Sequence, residues 1–204
     1  MRIRKTIYIG LFSMLLSLSL QAQERRVFSD TTKKLYVPNH IVVQYAGGFG
    51  FLSAGLGFDF SSDKIALDIL VGYLPKSIGG IDIWAIGAKS VYKPWQISIG
   101  KNMSIVPVNI GVFTIHAIGK QYSKIKHSNY YPKGYYWWPS NTRIGPTIGQ
   151  NYYFSILKQK GEIKTLEIYW DFSADDFGIY SYFDNKTVKL KNIFFFDIGI
   201  KYYF

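Results

Sequence analysis

The clearest pattern in the chain is carried by its last residues, Asn192 to Phe204. Every second residue back from Phe204 (Tyr202, Ile200, Ile198, Phe196, Phe194) is apolar or aromatic, while the other register reads Tyr203, Lys201, Gly199, Asp197, Phe195 and Ile193. A strand sends alternate side chains to opposite faces, so this segment has one continuous greasy face and one polar or small face. The alternation recurs along the chain. A first strand spans about Ile41 to Gly47, with Ile41, Val43 and Tyr45 opposed to Val42, Gln44 and Ala46. A second, about Phe51 to Phe60, sets Leu52, Ala54, Leu56, Phe58 and Phe60 against Ser53, Gly55, Gly57 and Asp59. A third, about Lys64 to Leu74, opposes Ile65, Leu67, Ile69, Val71 and Tyr73 to Ala66, Asp68 and Gly72.

The fourth, about Ile81 to Tyr92, has Trp84, Ile86, Ala88 and Tyr92 against Gly87 and Lys89. The fifth, about Ser104 to Gly119, sets Val106, Val108, Ile110 and Val112 against Asn109 and Gly111. The sixth, about Thr142 to Phe154, opposes Ile144, Pro146, Ile148, Tyr152 and Phe154 to Arg143, Gly145, Thr147, Gly149 and Asn151. Pro146 removes a ladder donor, and a local bulge would accommodate it. The seventh, about Lys164 to Phe172, shows Leu166, Ile168, Trp170 and Phe172 against Glu167, Tyr169 and Asp171.

Eight strands of this length match the roughly 9–11 residues of a tilted membrane-crossing strand. The predicted fold is all-β: an eight-stranded antiparallel up-and-down transmembrane β-barrel with a polar, plugged interior. Connections near Gly47, near Lys76, at Lys120–Asn141 and at Ser173–Lys191 fall on one side, expected to be extracellular. Those at Ser61–Asp63, Pro94–Met103 and Lys158–Gly161 fall on the other, and both long connections share the outer side. The inner face collects Asp59, Asp68, Glu167, Asp171 and Asp197 with Lys89, Arg143 and Lys201. Eight strands enclose only their own side chains, so these charges must pair, and a diffusion channel is not expected. A lipocalin-like soluble barrel predicts the opposite polarity, with Phe194, Phe196, Ile198 and Ile200 turned inward.

The N-terminus changes the setting. Arg2, Arg4 and Lys5 precede an apolar run from Ile7 to Leu20, and Ala22 follows. This reads as a secretory signal peptide over residues 1–22, a periplasmic lead-in over 23–40 and a barrel over 41–204. Removing residues 1–22 takes away three of 24 basic and none of 13 acidic residues, leaving a formal charge of +8. Such a chain rarely meets nucleic acid; lipopolysaccharide phosphates and anionic headgroups are the expected counter-charges. The absence of cysteine removes a lipid-anchored cysteine, disulfides and thiolate chemistry together. The expected location is the outer membrane of a Gram-negative bacterium, with insertion by its assembly machinery.

The chain resembles the small eight-stranded outer-membrane barrels, the architecture of the OmpA, OmpX and PagP families, over Ile41 to Phe204. The resemblance is one of architecture. The terminal aromatic Phe204, with Tyr202, is similar to the signal read by the assembly machinery. The stretch Tyr131 to Trp138 is similar to a loop of outer-membrane proteins of the Bacteroidota. These resemblances imply a membrane location and no particular activity.

The candidate binding loop is Lys120–Asn141. It combines Lys120, Lys124, Lys126 and Lys133 with Tyr135, Tyr136, Trp137 and Trp138, and has no acidic residue. Cations suit phosphates and flat aromatic faces suit sugars or acyl chains; an aromatic girdle at the rim is the simpler account of the rings. Two function classes follow. One is a non-enzymatic barrel whose loops bind a surface partner, lipopolysaccharide or a larger envelope complex. The other is a lipid A-modifying acyl hydrolase or acyltransferase using His116, or His127 with Ser128. Adjacent residues face opposite sides of a strand, which counts against the His127–Ser128 pair. His40 reads as a periplasmic rim residue. Asp171, Asp175, Asp176 and Asp184 read as a solvated acidic loop facing the lysine-rich one. No cofactor or metal site is expected, since the histidines lack ligand spacing.

Overall fold

A computed structural model describes residues 37–119, 141–157 and 163–204. The strands are β1 (His40–Ala46), β2 (Leu52–Phe60), β3 (Ile65–Leu74), β4 (Ile83–Tyr92), β5 (Ile97–Ile99), β6 (Met103–Ile118), β7 (Thr142–Leu157), β8 (Ile163–Ala174) and β9 (Phe194–Tyr203). Two helices, α1 (Lys76–Gly79) and α2 (Asp176–Asp184), lie between strands at one end. No helix among the described residues is long and apolar enough to cross a membrane.

All neighbours are antiparallel, and the sheet closes. β1 pairs with both β2 and β9, and β4 pairs with both β3 and β6. β5 is no separate stave. Tyr92 opposes Ile110 and Ile97 opposes Ile105, five residues on along each chain, so β5 continues the β4 ladder after Pro94. The result is an eight-stranded up-and-down barrel. The connection expected as a long turn at Pro94–Met103 therefore contains the short strand β5, closed by a tight turn with Gly100 at φ 73°. The β2–β3 connection is as short as expected, with Ser61, Ser62 and Asp63 all at positive φ.

The exposure of the wall gives its polarity. Phe194, Phe196, Ile198 and Ile200 are 45, 47, 42 and 49 % exposed, so the greasy face of β9 points outward. Ile41, Val43, Ile69, Val71, Ile110 and Ile148 do the same around the wall. In water, each such half-exposed side chain forfeits on the order of 1 kcal/mol of transfer free energy. The lipocalin-like arrangement is excluded. Asp68, Lys89, Glu167, Asp171, Asp197 and Lys201 are instead buried inside the wall.

One strand breaks the expected alternation. Between Val106 and Asn109 β6 advances three residues while β7 advances two, from Asn151 to Gly149. The extra residue is a bulge at Pro107–Val108, where a missing N–H costs no ladder bond. Parity reverses below it, so Val106, expected to face outward with Val108, lies inside at 1 % exposure. The bulge expected at Pro146 is absent, and Pro146 opposes Val112 in register. Its physical excuse is different. The β7–β8 ladder starts only at Thr147, and the N–H of Ile144, two residues away on the same edge, reaches the Asp176 carboxylate instead. Pro146 thus lies one residue beyond the paired part of that edge, where its missing N–H interrupts no ladder pair.

Inward glycines make room for long side chains. A Cβ at Gly57 would fall 1.9 Å from His40 Nε2, and one at Gly199 would fall 2.3 Å from the Tyr169 ring. The β1–β2 turn uses the same device. With Gly47 at φ 76° and Gly50 at φ 115°, it folds Phe49 into the barrel beside Phe113, where Gly72 and Gly87 leave space. We expect Gly199→Ala to destabilise the refolded barrel by about 1–3 kcal/mol through overpacking against Tyr169. A lowered urea midpoint checks this, and an unchanged midpoint contradicts it.

Candidate functional site

Two polar assemblies fill the barrel, stacked around Tyr169. The first centres on Lys89 of β4. Its ammonium reaches the Asp171 carboxylate of β8, Asp197 Oδ1 of β9 at 3.1 Å and Gln44 Oε1 of β1 at 3.3 Å, which uses all three N–H donors. Asn109 donates to Asp171 at 3.1 Å and to Asn151 at 2.8 Å, and the Tyr169 hydroxyl donates to Gln44 at 2.9 Å. The second centres on Lys201 of β9, 2.7 Å from Asp68 of β3 and 3.8 Å from Glu167 of β8. Glu167 also accepts from Tyr203 at 2.6 Å and Asn151 at 2.7 Å. The Tyr169 ring lies between the two ammonium groups, 4.7 Å from Lys89 and 5.3 Å from Lys201, so both cations face its π surface.

His40 belongs to the second assembly and not to the rim. It is fully buried, with Nε2 2.7 Å from Asp68 and Nδ1 2.7 Å from Asn39 Oδ1. Asn39 turns its Nδ2 toward Asp59 at 3.2 Å, which fixes its oxygen toward the ring; both ring nitrogens then face acceptors. Lys93 completes the lower end, 3.1 Å from Asp59. Neither His40 nor Lys93 was expected inside. Each lies at a strand end, where apolar alternation gives no signal about orientation.

Of the interior residues named from sequence, Asp59, Asp68, Lys89, Glu167, Asp197 and Lys201 meet in these assemblies, with Asp171. Arg143 does not. It stands at the mouth with its side chain 29 % exposed, donating to the Thr142 carbonyl at 2.9 Å, with Asp175 only as near as 4.0 Å. The acidic group around Asp175 is also dispersed. Asp171 lies inside the barrel, and Asp175 caps α2 by accepting from the Gly178 N–H at 2.7 Å. The connection Ser173–Lys191, expected as loop, contains that helix. No group of metal-ligating residues occurs among the described residues.

The mouth itself holds a bowl of about 430 Å³, lined by the β1–β2 turn, Leu74, Ile78, Phe113, Ile115, Phe195, Arg143 and Asp175. His116 lies outside it, exposed on the outer wall of β6. Its Nδ1 is 2.9 Å from Thr142 Oγ1 and its Nε2 is 3.1 Å from the Asn141 amide. Neither partner is a serine or a carboxylate. His127, Ser128, Lys120, Lys124, Lys126, Lys133, Tyr135, Tyr136, Trp137 and Trp138 lie outside the described residues. Tyr202 and Phe204 lie in the outward register of β9, and the Phe204 N–H donates to Asn39 O at 3.2 Å.

Compared with known proteins, the chain matches no family model, no curated protein and no solved structure.

The interior assembly makes a strong demand on stability. Asp68→Ala strips both His40 and Lys201 of their nearest carboxylate. We expect a loss of about 3–5 kcal/mol, the cost of leaving a buried partner charge uncompensated. Urea titration of the refolded variant measures it, and a loss under about 1 kcal/mol would mean that water replaces the carboxylate.

Proposed function

We propose that the protein is an integral outer-membrane barrel of a Gram-negative envelope, non-enzymatic, whose loop end binds a surface partner, lipopolysaccharide or a larger envelope complex. One observation carries the reading. The wall turns its apolar side chains outward and its carboxylates and lysines inward, the polarity that hydrocarbon demands and water penalises. Aromatic groups at both ends support it. Tyr45 with Phe51 and Tyr73 with Trp84 stand toward the loop end, and Phe58 with Phe60 toward the turn end, positions suited to the two membrane interfaces. The polar core is read as a plug: the charges that line it are paired, and Phe49 with Phe113 lies over them, so no water-filled path is inferred.

The binding assignment rests on sidedness. β6 ends at Ile118 and β7 begins at Thr142, both at the loop end, so the basic and aromatic stretch between them leaves from there. The connection carrying α2 leaves from the same end. The short connections at Ser61–Asp63 and Gly100–Asn102 occupy the other end, as periplasmic turns do. Among the described residues, nothing around His116 favours the hydrolase reading.

We expect the protein in the outer-membrane fraction, resistant to carbonate extraction. Ile198→Lys on the outward face should cost about 2–4 kcal/mol in a bilayer and deplete that fraction. Recovery of wild type as a monodisperse soluble protein without detergent sinks the membrane reading. Replacing Lys120, Lys124, Lys126 and Lys133 together by Gln should weaken retention on immobilised lipopolysaccharide several-fold at low salt, with little difference at high salt. Equal retention at low salt removes the loop from the binding assignment.

A further inference from the structure

We infer that the mouth bowl is a binding site for a single-chain anionic amphiphile, such as a fatty acid, with its head on Arg143 and its tail running across the bowl to the low rim of the wall at β1–β2. The inference rests on the membrane reading above and adds a ligand site within the barrel mouth.

Three observations meet there. First, the bowl is apolar and of the right size. Its floor is Phe113 and Ile115, its sides include Leu74, Ile78 and Phe195, and Gly47, Gly48 and Gly50 add no side chain. Its volume of about 430 Å³ is nearly three times the ~150 Å³ of a cavity that holds one benzene, and falls within the range of small-molecule pockets.

Second, the wall is low on one side. β1 and β2 have 7 and 9 residues, whereas β6 and β7, which stand opposite them in the ring, have 16 each. Tyr45 and Phe51, whose rings meet at 5.1 Å, line the bowl and are also exposed on the outer wall, at 50 and 37 %. The apolar surface is therefore continuous from the outer belt over the β1–β2 rim into the bowl. A hydrocarbon chain crosses that rim without meeting a charge.

Third, one cation in the bowl has donors to spare. Arg143 stands on β7, across from that low rim, with Phe177 stacked 5.3 Å from its guanidinium. Its contacts among the described residues are the Thr142 carbonyl and Asp175 at 4.0 Å, beyond hydrogen-bonding reach. Asp175 meanwhile spends its other oxygen on the α2 cap. A guanidinium has five N–H donors in a fork that matches a carboxylate or phosphate. Among the described residues the only other charge lining the bowl is Asp175, so a neutral chain gains the apolar contacts alone and an anionic one gains Arg143 as well.

The test uses the full-length barrel in phosphatidylcholine nanodiscs, loaded with tetradecanoic acid carrying a terminal diazirine, or with the matching alcohol. After illumination, labelled peptides are mapped by mass spectrometry. For the acid, we expect labels on bowl residues, at about tenfold the level given by the alcohol, the margin of a charge-assisted hydrogen bond. Arg143→Gln should erase the acid-over-alcohol difference. Ile78→Trp, at an exposed position lining the bowl, should cut bowl labelling several-fold and leave belt labelling unchanged. Labels confined to belt residues such as Ile41 and Ile198, or equal bowl labelling by acid and alcohol, overturn the inference. A chain that never enters the nanodisc overturns the membrane reading with it, whereas an inserted barrel with an unlabelled bowl overturns this inference alone.

Discussion

The structure depends on cation–carboxylate pairing across the barrel interior. Each lysine at the centre serves two acids from different strands. Lys89 of β4 holds Asp171 of β8 and Asp197 of β9, and Lys201 of β9 holds Asp68 of β3 and Glu167 of β8. Buried ions cost several kcal/mol each unless they are paired and hydrogen-bonded. Glu167 faces Lys201 across the β8–β9 ladder, but the other three pairs join strands that are not neighbours and meet only when the sheet has closed, so an open sheet leaves them uncompensated. The same pairs fix register, because a one-residue slip of any strand would turn its charges outward. Closure, register and interior polarity are thus one constraint.

Packing sets the terms on which that constraint can be met. Eight strands leave a lumen only as wide as the side chains that fill it. Tyr169 occupies its centre and faces a lysine on either side, which is possible because Gly199 opposes it without a Cβ. His40 fits beside Gly57 in the same way. Tyr169 and His40 are each matched by a missing side chain directly opposite on a neighbouring strand. Glycine therefore recurs on the inward register, where it would otherwise only weaken a strand.

Much of this was legible in the alternation of apolar residues. Counting by twos located all eight staves and turned Asp68, Lys89, Glu167, Asp171, Asp197 and Lys201 inward together. It failed where alternation carries no information. Val106 was assigned outward because the bulge at Pro107–Val108 shifts parity by one, and Val106 is apolar on either face. His40 and Lys93 lie beyond the apolar runs that set the phase. Phe49 sits in a turn, and its inward fold depends on Gly72 and Gly87, residues far from it in sequence. Arg143 fell in the inward register but stands so near the end of its strand that the register leads into the mouth and not into the core. Helix α2 leaves no signal in the alternation, because its apolar residues, Phe177, Tyr180 and Phe183, remain exposed and give no core-facing stripe.

The two ends of the molecule differ in what they leave available. Inside the wall, Lys89 has three acceptors for three donors, and Glu167 accepts from Tyr203 and Asn151 besides facing Lys201. A network so closely matched resists change and offers little to a ligand. At the loop end the balance reverses. Among the described residues, Arg143 keeps donors without acceptors, and the bowl exposes apolar surface that none of their strands covers. Recognition requires unsatisfied groups held on a rigid support. The paired interior provides the rigidity, the long staves β6 and β7 carry Arg143 above it, and the short staves β1 and β2 leave the approach open. On the function proposed above, the barrel is the mount and recognition belongs to its mouth.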